Sequence, residues 1–313
     1  MTAYIIRRLL ATIPVMVVVA IFVFLLLHLT PGDPAAVIAG DDATPEAVDG
    51  IRTKLGLDQP IHVQFGIYAA NLLRGDLGTS IFSNLPVLTL VKQRLEPTLV
   101  LAASTLVMAV LLAIPMGVLA AWKARTLIDR VVMGFSVLGF AVPGFLVGYL
   151  LIYVFAIELK WLPVQGYRPL SQGIDQTARS IILPALALSM AYMALIARMT
   201  RASMLDVLSQ DYIRTAKAKG VATLIVLLRH ALKNAAVPII TVIGIGLTLL
   251  ISGVVITETV FNIPGLGRLT VDAILKRDYP IIQGLIILFA GAKVLVNLLI
   301  DISYVFFDPR IRY

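Results

Sequence analysis

Apolar positions in this chain gather into six long runs, and the segments between them carry nearly all of the charge. The runs are 9–29, 99–122, 131–157, 181–197, 236–257 and 281–307. A helix crossing lipid needs about 20 mostly apolar residues, because its backbone groups must be satisfied within the segment. Each run is read as one transmembrane helix. The first follows Arg7 and Arg8; it is too long for a signal-peptide core and lacks a small-residue cleavage site after it, so it is read as a retained span. Pro115 and Pro143 predict kinks within the second and third spans. The last run is interrupted only by Lys293, Asn297 and Asp301.

The polar segments fix the orientation. With the N-terminus inside, the inner segments 1–8, 123–130, 198–235 and 308–313 hold 14 Lys/Arg and four acids. The outer segments 31–97, 158–180 and 258–280, almost twice as long in total, hold 11 Lys/Arg and 13 acids. Cations concentrate on the cytoplasmic side of membrane proteins, so both termini are assigned to the cytoplasm. The expected organisation is a tail and first span over 1–30, an extracytoplasmic segment over 31–97, a five-helix core over 98–307 and a cytoplasmic tail over 308–313. Within 31–97, Thr44-Pro45-Glu46 signals a helix start and Gly56 its end, and Ile61, Phe65, Tyr68 and Leu72 mark a second helix stopped by Gly75. These helices are expected to lie on the outer membrane face or to form a small cap.

Composition agrees with this picture and removes alternatives. Of 313 residues, 59% are hydrophobic and 14% charged, where a soluble domain carries roughly 25% charged. The net charge of +8 would suggest nucleic acid in a soluble protein; here it belongs to topology, and no nucleic-acid partner is expected. There is no cysteine, and the three histidines lie far apart, so no thiolate or histidine metal site is expected. No phosphate-cradling GxxxxGK[ST], no GxSxG and no HExxH is present, so no catalytic residue is assigned and no cofactor is expected on this chain.

The inner segment 198–235 is the largest cytoplasmic one and carries seven of the inner cations. Ser209 can cap a short helix there, Asp211 suits its positive end and Gly220 can close it. Tyr212, Ala216 and Gly220 then share one face, with Arg214, Thr215, Lys217 and Lys219 on the rest. Such a knob can seat in another protein's cleft; the plainer reading is a basic helix lying on anionic membrane lipid.

Asp211-Tyr212-Ile213-Arg214-Thr215-Ala216-Lys217-Ala218-Lys219-Gly220, followed by Arg229-His230-Ala231-Leu232-Lys233-Asn234-Ala235, resembles the EAA loop of ABC importer permeases. Further matches are Pro31-Gly32-Asp33-Pro34, Gly75-Asp76-Leu77-Gly78-Thr79-Ser80, Glu258-Thr259-Val260-Phe261-Asn262-Ile263-Pro264-Gly265-Leu266-Gly267-Arg268-Leu269, Arg277-Asp278-Tyr279-Pro280 and Asp308-Pro309-Arg310-Ile311-Arg312-Tyr313. Spread from end to end, they resemble the B-type permease subunit of dipeptide, oligopeptide and nickel importers. Against the general EAA pattern, Arg214-Thr215-Ala216 stands for Glu-Ala-Ala and Lys233 for proline; RTA-type loops are usual in the peptide branch. The apolar stretch 221–228, where relatives carry charge, is expected to pack against the chain's own bundle.

The resemblance implies an all-α, six-span type I ABC importer permease fold and a non-enzymatic subunit of an ATP-driven peptide importer. A second, similar permease would complete the pathway, two ATPase domains holding ATP and Mg would bind beneath, and an external binding protein would deliver substrate. Asp211, Tyr212, Arg214, Thr215, Ala216, Lys217, Ala218, Lys219 and Gly220 would form the ATPase-coupling helix. An ion-coupled secondary transporter is the alternative; it predicts ionisable residues near the midplane of several spans, and only the last span has them there.

Three further groups are candidate sites. Lys293, Asn297 and Asp301 form a polar stripe that faces protein or water, as either a pathway lining or a structural network. Thr241, Gly244, Thr248 and Ser252 in the fifth span form either a close helix–helix face or a row of pathway hydroxyls. In the outer loop, Phe261, Asn262, Pro264, Gly265, Gly267 and Arg268 are read as an outer gate or binding-protein contact, or else a rigid connector.

Overall fold

The computed structural model describes residues 2–29, 33–39, 43–54 and 56–307. Leu55, Pro31, Gly32 and the 308–313 motif therefore lie outside the described residues. Helices run in the order α1 Thr2–Leu29, α2 Pro34–Ala39, α3 Pro45–Lys54, α4 Ile61–Leu73, α5 Val87–Trp122, α6 Leu127–Ala141, α7 Gly144–Leu151, α8 Ile174–Leu208, α9 Asp211–Ala218, α10 Thr223–Ile225, α11 Ala236–Val260, α12 Leu266–Lys276 and α13 Tyr279–Phe307. Two π-helical turns, Ile152–Glu158 and Val226–Leu232, continue α7 and α10.

Among the described residues, four helices are long and apolar enough to cross a membrane: α5, α8, α11 and α13 as far as Ile302. A fifth span is reached if α6 and the stretch from α7 to Glu158 count as one, and the apolar part of α1 is the shorter Leu10–Leu26. The third expected span is thus corrected from a kinked helix to two helices bent by 106°. The cause is local: Val142 is extended (φ −85°, ψ 126°), as a residue before proline prefers, and Pro143 is extended after it (φ −58°, ψ 133°). By contrast Pro97 and Pro115 sit inside α5, and Pro184 inside α8, without ending either helix.

The chain divides into two compact units. One comprises residues up to Leu95 with Arg268–Leu295; the other comprises Glu96–Gly267 with α13 from Val296.

In the first unit, α3 and α4 occupy the positions expected from their caps and stops. The Ala47 N–H reaches the Thr44 hydroxyl, and Gly56 and Gly75 adopt the positive φ (67° and 77°) that lets a chain leave a helix. Arg52 of α3 pairs with Asp33 at the start of α2. The α4 face bearing Phe65 and Tyr68 meets Phe24 of α1, with ring centroids 5.3 and 5.7 Å apart. Two of the sequence motifs also meet here: the buried Ser80 hydroxyl donates to Asp278 Oδ2 at 2.6 Å, and Gly78 lies against Pro280.

The second unit is built around α8, its most buried helix. Lipid tails provide no hydrophobic drive between helices, so close van der Waals packing must hold such a bundle. Glycines supply that closeness. A Cβ on Gly117 of α5 would stand 2.6 Å from the Ala197 carbonyl oxygen, one on Gly139 of α6 3.1 Å from that of Met190, and one on Gly253 of α11 2.8 Å from Leu188. At the end of α8 assigned to the cytoplasm, Arg201 grips Asp129 through two bonds of 2.5 and 2.7 Å, and the Arg125 N–H adds a third at 2.9 Å. The 72 residues separating these partners hid the pair from sequence reading.

Candidate functional site

The helix α9, in the segment assigned to the cytoplasm, is anchored mainly by Ile213. Ile213 is fully buried in a small core with Met204, Val226, Leu227 and Ala231. The expected packing of 221–228 holds in part: Val226 and Leu227 are buried and Val221 packs against the same core, while Leu224, Ile225 and Leu228 are exposed. The helix closes through a Schellman arrangement, in which the Gly220 N–H donates to the Lys217 carbonyl and the Val221 N–H to the Ala216 carbonyl. Gly220 supplies the required φ of 74°.

Two details of the sequence reading change. The N-cap is Gln210, with extended backbone (ψ 149°); the Ser209 hydroxyl instead donates to the Asp206 carbonyl at the end of α8. Ala216 is only partly accessible and packs toward the Ile213 core, so Tyr212, Ala216 and Gly220 do not form one outward face. The exposed surface consists of Asp211, Tyr212, Arg214, Thr215, Lys217, Ala218, Lys219 and Gly220. Asp211 and Arg214 pair across it at 3.2 Å.

In α11, Gly244 is the point of closest approach to α13: a Cβ there would stand 2.6 Å from Ile300 Cδ1. One turn further on, the Thr248 hydroxyl lies 3.2 Å from Asn297 Oδ1. The structure thus brings Gly244, Thr248 and Asn297 into one helix–helix contact. Thr241 turns its hydroxyl to the Val237 carbonyl, and Ser252 is exposed. Lys293 is exposed and Asp301 partly so.

The outer loop after α11 is more closed than a surface gate. Phe261, Ile263, Gly265, Leu266 and Gly267 are buried; Asn262 and Pro264 are exposed, and Arg268 is partly accessible. Its centre is Glu258, which is fully buried. The Thr98 hydroxyl donates to Glu258 Oε1 at 2.5 Å and itself accepts the Leu266 N–H at 2.8 Å. The Ile263 N–H returns to the Glu258 carbonyl, and Asn262 makes the turn at φ 53°. A Cβ on Gly265 would fall on the Glu258 carboxylate, and one on Gly267 would stand 2.6 Å from Val255 Cα. These two glycines therefore make room for the carboxylate. The Phe261 carbonyl accepts the Gly166 N–H, and the Phe261 ring covers Gly148 of α7. Sequence reasoning quoted Glu258 within a motif but gave it no role. Two glycines following an acid in an apolar frame were the available signal, and Thr98 lies 160 residues away.

No cluster of His, Cys, Asp and Glu able to hold a metal occurs among the described residues. The arrangement contains a presented cationic helix, a local contact between α11 and α13, and a sealed outer loop.

Comparison with known proteins identifies the family. Residues 113–313 match the binding-protein-dependent transport system inner membrane component, and residues 1–102 match the N-terminal region of the same kind of protein. Over the full length of both chains, the protein is 55% identical to a probable peptide ABC transporter permease protein, y4tP, of Sinorhizobium fredii (strain NBRC 101917 / NGR234). It is 44% identical, again over both full lengths, to the glutathione transport system permease protein GsiC of Escherichia coli (strain K12). Among solved structures, the MetNI methionine ABC transporter in inward-facing conformations is similar with a TM-score of 0.59 and 16% identity, covering 71% of this chain and 97% of that one. That likeness shows the fold, which is the type I ABC importer permease fold. ATPase and substrate-binding partners follow from membership. The chain belongs to the family of binding-protein-dependent transport system inner membrane components, and it is a multi-pass permease subunit of the inner membrane.

Proposed function

We propose that this permease forms half of a translocation pathway for short peptides, the other half coming from a second, similar permease. ATP and Mg are held by two partner ATPase domains, where hydrolysis takes place. An extracytoplasmic binding protein delivers the substrate. The peptide assignment is supported by full-length likeness to permeases named for peptide and glutathione transport. The observation that carries the mechanical part is α9, a short helix pinned by Ile213 with nearly every other side chain exposed. A helix held this way transmits force as a rigid knob. When the ATPase domains close, a knob seated in them is displaced, and Ile213 passes that displacement to α8 and the 226–232 turn. Nucleotide state then biases two arrangements of one bundle, as alternating access requires.

The test is reconstitution in vesicles with the partner subunits and a labelled dipeptide. Uptake is expected only when ATP, ATPase subunits and binding protein are all present. Uptake by this chain alone on an ion gradient would overturn the proposal.

A further inference from the structure

The first unit contains a cavity of about 750 Å³, within the range of small-molecule sites. It is lined from α1, α4, the 76–84 segment and the start of α13, and it lies on the extracytoplasmic side of the topology. The lining chemistry is selective. Four aromatic residues contribute, Phe24, Tyr68, Phe82 and Tyr279, and among the described residues Asp76 is the single charged lining group, with no Lys or Arg. Asp76 Oδ1 accepts the Gly78 N–H at 2.8 Å, and Oδ2 has no hydrogen-bond partner among the described residues. Asp76 is exposed, so a cation can reach its carboxylate, and a lining rich in aromatic rings suits the same charge.

The neutral polar groups point to the rest of the ligand. The Tyr68 hydroxyl oxygen is buried and has no hydrogen-bond partner among the described residues. A buried hydroxyl in that condition carries an uncompensated desolvation cost and calls for a bound acceptor or donor. Burial pushes its pKa up to about 12, so it remains a neutral O–H donor. Asn71 and Asn84 also line the cavity, and their side-chain amides make no hydrogen bond among the described residues. Gln283 uses its amide N–H on the Val23 carbonyl, leaving its oxygen as an acceptor.

We infer that this cavity binds the free amino terminus and first amide groups of a short peptide. Asp76 and the aromatic faces meet the ammonium, and Tyr68, Asn71 and Asn84 meet the amides. An ethanolamine lipid headgroup also offers an ammonium, but its phosphate would enter a cavity without a cation to pair it. The inference rests on the peptide reading above and deepens it, adding a contact outside the unit built around α8.

The probe is labelled Ala-Phe amide, a dipeptide without a C-terminal carboxylate, titrated against the purified full chain in phosphatidylcholine nanodiscs, with N-acetyl-Ala-Phe amide in parallel. The N-acetyl peptide is expected to bind about tenfold more weakly, the size of a lost charge-assisted contact. Asp76→Asn should bring the free peptide down to that level, with Asp76→Glu restoring most of the difference. Tyr68→Phe should weaken both peptides about threefold, as for one neutral hydrogen bond. Equal binding of the two peptides, or a difference that survives Asp76→Asn, would overturn the assignment. Displacement of Ala-Phe amide by added phosphatidylethanolamine would assign the cavity to lipid and overturn it equally. Uptake by the assembled importer, measured alongside, separates the two levels. Normal peptide uptake with binding insensitive to Asp76 rejects the cavity alone; Asp76-dependent binding without peptide uptake rejects the substrate reading and leaves the cavity standing.

Discussion

The helix α9 and the outer loop 261–267 are both short, glycine-punctuated segments at the ends of long helices, yet they treat their polar groups in opposite ways. In α9 one apolar residue, Ile213, goes in and the charged side chains stay out. In the loop the apolar residues and the carboxylate of Glu258 all go in, and mainly Asn262 and Pro264 stay out. A segment that presents charge around an apolar anchor leaves that charge available to a partner, which is the role proposed for α9. One that closes around a hydrogen-bonded carboxylate is built to hold its own chain in place. Under the proposed function, the inner segment is the one that transmits and the outer one holds its own chain in place.

The largest effect expected from breaking this contrast lies at the outer end. Glu258→Ala removes a fully buried side chain and the acceptor of the Thr98 hydroxyl, and should lower stability by about 3 kcal/mol. Gly265→Ala, which drives a methyl group onto the same carboxylate, should cost about 1–3 kcal/mol. Thermal unfolding in detergent checks both, and unchanged midpoints would mean that the loop is not a fixed post.

At the inner end the expectation reverses. Tyr212→Ala and Lys217→Ala alter exposed side chains, so stability should stay within about 0.5 kcal/mol of the parent. ATP-driven uptake should nevertheless fall about tenfold if each loses roughly 1.4 kcal/mol of contact to a partner. A stability loss matching the uptake loss would return α9 to a purely structural role.

A smaller effect is expected outside both regions. Burial works to raise the Asp33 carboxyl, but the Ala35 N–H and Arg52 hold it below the ordinary carboxylate range. Because the folded pKa is the lower one, this contribution is present above the unfolded value and is lost as pH falls through the folded one. Proteolysis near α2 and α3 should therefore quicken under acid conditions below the usual carboxylate pKa, and Arg52→Ala should reduce that pH dependence.

Local features were legible in the sequence and distant pairings were not. The apolar runs, the ends at Gly56, Gly75 and Gly220, and the α3 start at Thr44 follow from short-range rules of backbone geometry and capping. The break at Pro143 is not legible, because a proline alone does not say whether a helix bends or breaks; Pro115 and Pro184 remain inside intact helices. The cap at Gln210 replaced Ser209 because α8 runs on to Leu208 and takes Ser209 as its own end. Ala216 turned inward because Ile213, three residues earlier, commits that face to the core. Glu258 with Thr98, and Asp129 with Arg201, depend on helix packing that no window of the sequence contains.

The most direct test of the central claim uses the absence of cysteine from the natural chain. A single cysteine placed at Thr215 on the exposed face of α9, and another placed separately at Asn262 in the outer loop, would each carry a photoactivatable crosslinker in the assembled importer. The Thr215→Cys chain should yield an adduct with an ATPase subunit whose yield changes on adding ATP, while the Asn262→Cys chain should yield none with that subunit. Absence of an ATPase adduct at Thr215, or adducts with lipid alone, would contradict the account.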